Sequence, residues 1–395
     1  MKRTLAVLLL SLIGMGFAQV KIGILSPLTG AAAGTGQAQL AGFELAIEEI
    51  NAAGGVLGEP LEIIVEDTKA DPATAVAAFE KLMTEDGVEF IGGGYSSGVT
   101  LALVESFRTF QPLVSWIGGA TSGIGIDGFD GIEELIGTEP WFFHVHPWDY
   151  QNTQASSQFA VFTGANTVAL LHENSAFGGP GAQAAAGVMV GSGQEVVLVE
   201  PFQSTLTGGN GDFRAVLSKV AAADPDMIFW IGYDGDVVPL TSQIRELNLD
   251  PQYVFGAPPG WPSEFDSAPE AQCVAGLIGY LPNLPNPEAV TFRDSYVAMH
   301  GSNPTNYMSA LAYAQLWSYA DAINQAGTTD QAAVIEAMES MTFDSPMGQW
   351  SFGPSEITQH QGFSADMWLA FQFQDGVREI VWPPEKATAP LVSCQ

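Results

Sequence analysis

Residues 20–67 read VKIGILSPLTGAAAGTGQAQLAGFELAIEEINAAGGVLGEPLEIIVED. Val20–Leu25 is a short, largely apolar run with β-branched residues, closed by Ser26-Pro27, and so describes a buried strand. Leu40, Phe43, Ile47 and Ile50 then recur at spacings of 3, 4 and 3, on one face of a helix that Gly54-Gly55 stops. Leu61–Val65 is the next strand. Strand, helix and strand in this order make a βαβ unit, whose two strands lie parallel.

The rhythm continues outward from this unit. Asp71-Pro72 opens a helix through Val76, Phe79 and Leu82, with Asp71 as N-cap and Pro72 at the first helical position. Val88–Ile91, a helix over Thr100–Phe110 and Leu113–Ile117 follow. After Phe142–Val145 the alternation restarts. Val168–Leu171, Glu195–Val199, Met227–Ile231 and Tyr253–Phe255 read as strands, with helices near Gly181–Val190, Phe213–Ala222 and Val237–Leu247. Beyond Val274–Leu281 come helices over Glu288–His300, Tyr307–Ala326 and Gln331–Met338, then strands at Met367–Phe373 and Val377–Val381. The predicted fold class is α/β: two doubly wound parallel-sheet lobes. Leu281–Pro287, rich in proline, reads as one connector between them, and Phe143–Pro147 as a second crossing. Ligands of open parallel sheets bind at the carboxyl ends of the strands, so the site is sought in the loops that follow them.

Composition narrows the function. The 395 residues hold 44 Asp and Glu against 12 Lys and Arg, a formal net charge of −32. Such a surface repels phosphate backbones and anionic lipid heads, which excludes nucleic acid and membrane surfaces as partners. With 47% apolar residues, and Gly and Pro dispersed along the chain, disorder and collagen-like repetition are excluded as well. Lys2 and Arg3 precede a 14-residue apolar stretch, Leu5–Ala18, which ends in Gly16-Phe17-Ala18. That is the pattern of a secretory signal peptide, and it is shorter than the roughly 20 residues of a membrane span. Cleavage is expected after Ala18, leaving Gln19 first, and no cysteine near that point offers a site for lipid attachment. Cys273 and Cys394 are the only cysteines. In an oxidising compartment they are expected to pair, two buried free thiols being the alternative.

The most informative loop is Gly92-Gly93-Gly94-Tyr95-Ser96-Ser97-Gly98, between a strand and a helix. Its glycines permit close backbone approach. The helix start offers free N–H groups, and Ser96 and Ser97 add hydroxyls, a combination suited to a carboxylate. The same residues spell G-x-S-x-G, so a secreted serine hydrolase using Ser96, with His144, His146, His172, His300 or His360 as base, is a rival reading. No HGGG-type oxyanion loop accompanies it. His144 and His146 alternate on one expected strand, but no third ligand stands nearby for zinc. Gly208–Asp212 resembles a calcium loop in composition only and is read as a turn before a helix that Asp212 caps. Neither a Walker loop nor a dinucleotide fingerprint is present, and no metal or cofactor is expected. Gly118-Gly119-Ala120-Thr121-Ser122 follows another strand, where Thr121 would donate and the Gly119 carbonyl accept. Phe177, Tyr233 and Trp261, each after a strand of the second lobe, are expected to form an apolar wall.

Lys21–Gly30, Gly42–Gly58, Asp67–Ala75, Phe90–Thr100, His172–Gly178, Asp226–Tyr233 and Ala310–Ala326 together resemble the type I periplasmic solute-binding proteins. The resemblance is to the leucine/isoleucine/valine-binding branch, which serves ABC importers. It implies lobes joined by a three-crossing hinge, with 19–143 and 282–350 in lobe 1 and 144–281 and 351–395 in lobe 2. It also implies a periplasmic, monomeric protein that closes on a small amino acid or carboxylate and delivers it to an ABC permease and ATPase complex. A two-lobed sensor acting on a receptor is a further alternative.

The ligand site implied comprises Ser96, Ser97, Gly119, Ala120 and Thr121 in the first lobe and Phe177, Tyr233 and Trp261 in the second. Two positions depart from the family pattern. An aromatic residue in the first loop becomes Thr35, and the glutamate that holds the ligand's amino group falls at Pro258 or Pro259. Asp234, Asp236 or Glu264 is then the candidate substitute. Without one, hydrophobic amino acids should bind weakly and deaminated carboxylates should compete well.

Overall fold

The computed structural model describes residues 19–121, 136–355, 357–362 and 367–395. The expected signal segment, residues 1–18, lies outside them, as does Ser122. The first lobe begins β1 (Lys21–Ser26), α1 (Ala33–Ala52), β2 (Glu62–Asp67), α2 (Pro72–Lys81), β3 (Phe90–Gly93), α3 (Ser97–Phe110), β4 (Leu113–Trp116) and β5 (Phe142–His144). β1 is apolar on both faces because it lies between β2 and β3, with Ile22, Ile24 and Leu25 fully buried. Asp71 accepts from the Thr74 N–H (2.8 Å) ahead of Pro72, the cap expected from sequence.

The chain then crosses into the second lobe with α4 (Asp149–Thr163), β6 (Thr167–Glu173), α5 (Gly178–Gly191), β7 (Glu195–Phe202) and α6 (Arg214–Ala223). It continues through β8 (Met227–Ile231), α7 (Asp234–Glu246), β9 (Tyr253–Gly256) and β10 (Val274–Ile278). α8 (Pro287–His300), α9 (Met308–Ala326) and α10 (Gln331–Ser340) return to the first lobe, α8 and α9 packing on α1 and α10 on α9. A short ribbon, β11 (Thr342–Phe343) and β12 (Trp350–Ser351), precedes β13 (His360–Gln361). β14 (Leu369–Gln374) and β15 (Val377–Trp382) close the second sheet as antiparallel strands. The sheet orders are β13-β5-β4-β3-β1-β2 and β15-β14-β10-β9-β8-β6-β7, so the chain passes between the sheets three times.

Two of these passages differ from the division read from sequence. β5 includes His144, which pairs with Trp116, so the first passage follows residue 144. β13 lies parallel to β5, His360 beside Phe143, and therefore belongs to the first sheet rather than to a second-lobe segment beginning at 351. Two residues are too few to show the alternation that marks a strand. α4 was also illegible as a helix, since DYQNTQASSQFAVFT carries no apolar stripe. The cap of α6 sits one residue later than expected: Phe213 takes that position, while Asp212 accepts from the Arg214 N–H. Among the described residues, no helix is long and apolar enough to cross a membrane.

Cys273 and Cys394 are bonded, their Cα atoms 5.5 Å apart. The bond fastens the tail to the second sheet, where the Cys394 N–H donates to Gln252 O and Gln372 Nε2 to Val392 O, both at 2.8 Å. It closes a loop across a separation of 121 residues. Cys394→Ser is expected to lower unfolding stability by about 2–4 kcal/mol. In urea titrations, reductant should bring the parent protein down to the variant's stability and leave the variant unchanged; equal stability of the two oxidised proteins would refute the assignment.

Candidate functional site

The carboxyl ends of the two sheets face a cleft lined by residues of both lobes. The loop from β3 to α3 forms one side of it. At Gly94, φ is +110°, and a β-carbon there would lie 2.5 Å from the Trp116 ring, so only glycine fits the turn. Two buried glutamines hold this loop: Gln39 Nε2 donates to Gly94 O (2.8 Å), and Gln315 Oε1 accepts from the Gly93 N–H (2.9 Å). Ser96 is the N-cap of α3, its Oγ accepting from the Val99 N–H, and Ser97 Oγ accepts from the Thr121 N–H at 3.2 Å. Serine loop and Gly118–Thr121 loop are thus tied together beside the start of α3, whose unpaired N–H groups and positive dipole end suit a carboxylate.

Ser96, Ser97, Gly119 and Ala120 line the cleft, as do Phe177 and Tyr233 opposite them. The Phe177 and Tyr233 rings lie 5.3 Å apart, and Tyr95 meets Tyr233 edge-on at 6.3 Å. Two expected residues lie elsewhere. Thr121 is fully buried behind the lining and contributes its backbone N–H to Ser97. Trp261 belongs to the second lobe's core, packed on Trp230, Phe265, Phe371 and Phe373 at 5.2–6.1 Å between ring centres. Its place after a strand put it near the cleft, but the indole lies over the sheet at Gly276 of β10, where a β-carbon would come within 2.2 Å of it, beside Phe371 of β14.

None of the three acids considered from sequence lines the cleft. Asp236 is fully buried and accepts from Ser204 Oγ (2.6 Å), Thr205 Oγ1 (2.9 Å) and the Tyr233 N–H (3.0 Å). Glu264 is exposed. Asp234 accepts from Tyr95 Oη and Thr35 Oγ1 instead. Burial raises its carboxyl above the ordinary range, and those two bonds act against the rise.

The acid that does line the cleft is Asp149, 6% exposed at the start of α4. Its own N–H donates to Ala120 O (2.6 Å), and Oδ1 accepts from the Tyr150 N–H (2.8 Å). Asn152, Thr153 and Ser156 stand on the same face of α4 and also line the cleft. The signal that reveals them is a polar stripe at i, i+3, i+4 and i+7, the inverse of the apolar stripe sought along the chain. Pro258 and Pro259 line the cleft, and neither has a side-chain acceptor. Among the described lining residues there is one carboxylate and no lysine or arginine.

His146 also lines the cleft, but its ring nitrogens meet Pro147 O (2.8 Å) and Tyr307 Oη (2.7 Å), not Ser96. Burial lowers its pKa to about 4, so it is neutral at pH 7. The pairing of nucleophile and base that G-x-S-x-G chemistry needs is not formed. His144, whose ring meets that of His146 edge-on at 6.4 Å, is fully buried and stacks on Trp148 with 3.6 Å between ring centres.

The sequence profile of the periplasmic binding proteins matches residues 19–376. The chain belongs to the periplasmic binding protein family. Relatives of this periplasmic binding protein carry names from amino-acid capture. A Pseudomonas aeruginosa leucine-, isoleucine-, valine-, threonine- and alanine-binding protein is 27% identical over 351 residues, 88% of this chain and 90% of its own. A Brucella abortus Leu/Ile/Val-binding protein homolog is 27% identical over 373 residues, 89% and 92% of the two chains. The Streptococcus pneumoniae branched-chain amino acid transporter substrate-binding protein LivJ, solved with isoleucine, superposes with a TM-score of 0.77 at 25% identity. That match covers 93% of this chain and 100% of LivJ. An R. palustris solute-binding protein solved with benzoate superposes at 0.80 over 95% and 98% of the chains; at 18% identity it speaks to the fold alone.

Proposed function

We propose that this periplasmic binding protein is the exported substrate-binding component of an ABC importer and that its ligand is a hydrophobic α-amino acid. The observation that carries the ligand class is the charge pattern of the described lining residues: one carboxylate, no lysine or arginine, and a serine-capped helix start. A zwitterion matches it. The ligand's carboxylate takes the α3 end, its ammonium takes Asp149, and its side chain lies between Phe177, Tyr233 and Trp368. A carboxylate with no ammonium would forgo the charge-assisted pairing with Asp149. The names of the P. aeruginosa and B. abortus relatives support the same class.

This reverses the preference for deaminated acids that Pro258 and Pro259 suggest, because the acid is supplied from α4. Calorimetric titration with L-leucine, its 2-oxo analogue and benzoate tests it. L-leucine is expected to bind at least about thirtyfold more tightly than the 2-oxo acid. Tighter binding of the 2-oxo acid or benzoate would overturn the reading. Export with cleavage after Ala18 belongs to the same proposal, and intact-mass measurement of exported protein that retains residues 1–18 would contradict it.

A further inference from the structure

Asp234 lies one residue beyond the cleft wall at Tyr233, at the start of α7, and every side chain that donates to it comes from the other lobe. Tyr95, from the serine loop, donates to Oδ1 at 2.9 Å, and Thr35, from the first turn of α1, donates to Oδ2. Thr35 in turn accepts from Asn306 Nδ2 (3.1 Å), while Asn306 Oδ1 accepts from the Met308 N–H (3.0 Å) at the start of α9. The chain of bonds therefore runs from the α9 end through Asn306 and Thr35 to the α7 end, with Tyr95 as a second arm. Tyr95 keeps its proton and donates, since burial and the neighbouring Asp234 charge both raise its pKa. Close approach is built in: a β-carbon at Gly260 would lie 2.4 Å from Asn306 Nδ2 and 3.0 Å from Asp234 Oδ2.

These bonds exist only while the lobes are together. Opening the cleft carries Asp234 away from both donors at once and returns all three groups to water. The network lies outside the lining, apart from the Tyr95 ring. We infer that Asp234, Thr35 and Tyr95 form an interlobe latch, a ligand-independent contribution to closure that holds the shut state and slows ligand release. This rests on the reading of the cleft as one that closes on a small solute. A contact present in the closed form alone shifts the open–closed equilibrium by its own free energy, and the ligand's apparent affinity follows the closed fraction.

The test uses Asp234→Asn, which keeps the shape but removes the charge and one acceptor, and Thr35→Val, which removes one donor. Spin labels at exposed Thr109 and Ser218, one in each lobe, report the interlobe distance in the ligand-free protein. Stopped-flow fluorescence, with Trp368 in the cleft as a native reporter, gives association and release rates for L-leucine. Asp234→Asn is expected to shift the ligand-free distances toward the open form and to raise the release rate about tenfold, with association within twofold. Thr35→Val should act in the same direction and more weakly. Ligand-free distance distributions identical to the parent's and release rates within twofold of it for both variants, with near-ultraviolet circular dichroism unchanged, would overturn the latch. If L-leucine does not bind the parent protein, the ligand class fails, while the ligand-free distances still decide the latch.

Discussion

Asp149→Asn is expected to weaken L-leucine binding by about thirty- to a hundredfold and to leave the 2-oxo analogue bound at least as well as before. A buried, charge-assisted hydrogen bond between carboxylate and ammonium is worth on the order of 2–3 kcal/mol over its neutral replacement. No other carboxylate among the described lining residues can take over the ammonium. Asparagine retains the Oδ1 that accepts from the Tyr150 N–H, so the start of α4 keeps its geometry. The two ligands separate a binding role from a structural one. If the Asp149 carboxylate only shaped the α4 end through the Tyr150 N–H, both affinities would fall together. If it meets the ammonium, leucine loses the interaction and the 2-oxo acid loses a repulsion, so their ratio collapses. Calorimetry showing a leucine affinity within threefold of the parent, or equal losses for both ligands, would refute the assignment.

The fold was legible because its central strands are buried on both faces and so read as continuous apolar runs. β1, β6 and β8 all have this form, and the apolar stripe of α1 and the Asp71-Pro72 start of α2 are equally explicit. Legibility failed wherever packing, not periodicity, decides. α4 covers its lobe with small and polar residues, and β13 is held by two residues against β5. The site divides in the same way. Ser96, Ser97, Gly119 and Ala120 stand in loops whose glycines announce a close turn, and Phe177 and Tyr233 follow strands of the second sheet. Trp261 follows a strand too, yet its side chain turns inward, a choice set by β10 and β14 across the sheet. Asp149 escaped because it is brought to the cleft by the helix that sequence did not reveal, and Thr35 because its partner is far along the chain. Contacts between lobes have no local signature.

Acid is expected to destabilise the protein steeply below pH 6.5, before most carboxylates titrate. His144 and His146 are buried, and the low polarity around them holds their pKa values down at about 3 and about 4, with mutual repulsion adding to the effect at His144. In the unfolded chain both return to about 6.5. Between those limits the unfolded state binds more protons than the folded one, so stability is complete above pH 6.5 and is lost as pH falls toward the folded values. Each histidine contributes about 1.4 kcal/mol per pH unit in this window, or roughly 5 kcal/mol for the pair by pH 4.5. Glu173, Asp234 and Asp266, raised by burial, act with the opposite sign over part of the same range, so the histidine contribution must be isolated by substitution. His144→Phe does this, since a phenyl ring preserves the stacking on Trp148 and the contact with Phe142 but cannot take a proton. Urea unfolding of the variant between pH 6.5 and 4.5 should show a slope about 1.4 kcal/mol per pH unit shallower than the parent's. An unchanged slope would mean that His144 is protonated in the folded protein, which would require an acceptor for both its nitrogens inside the hinge.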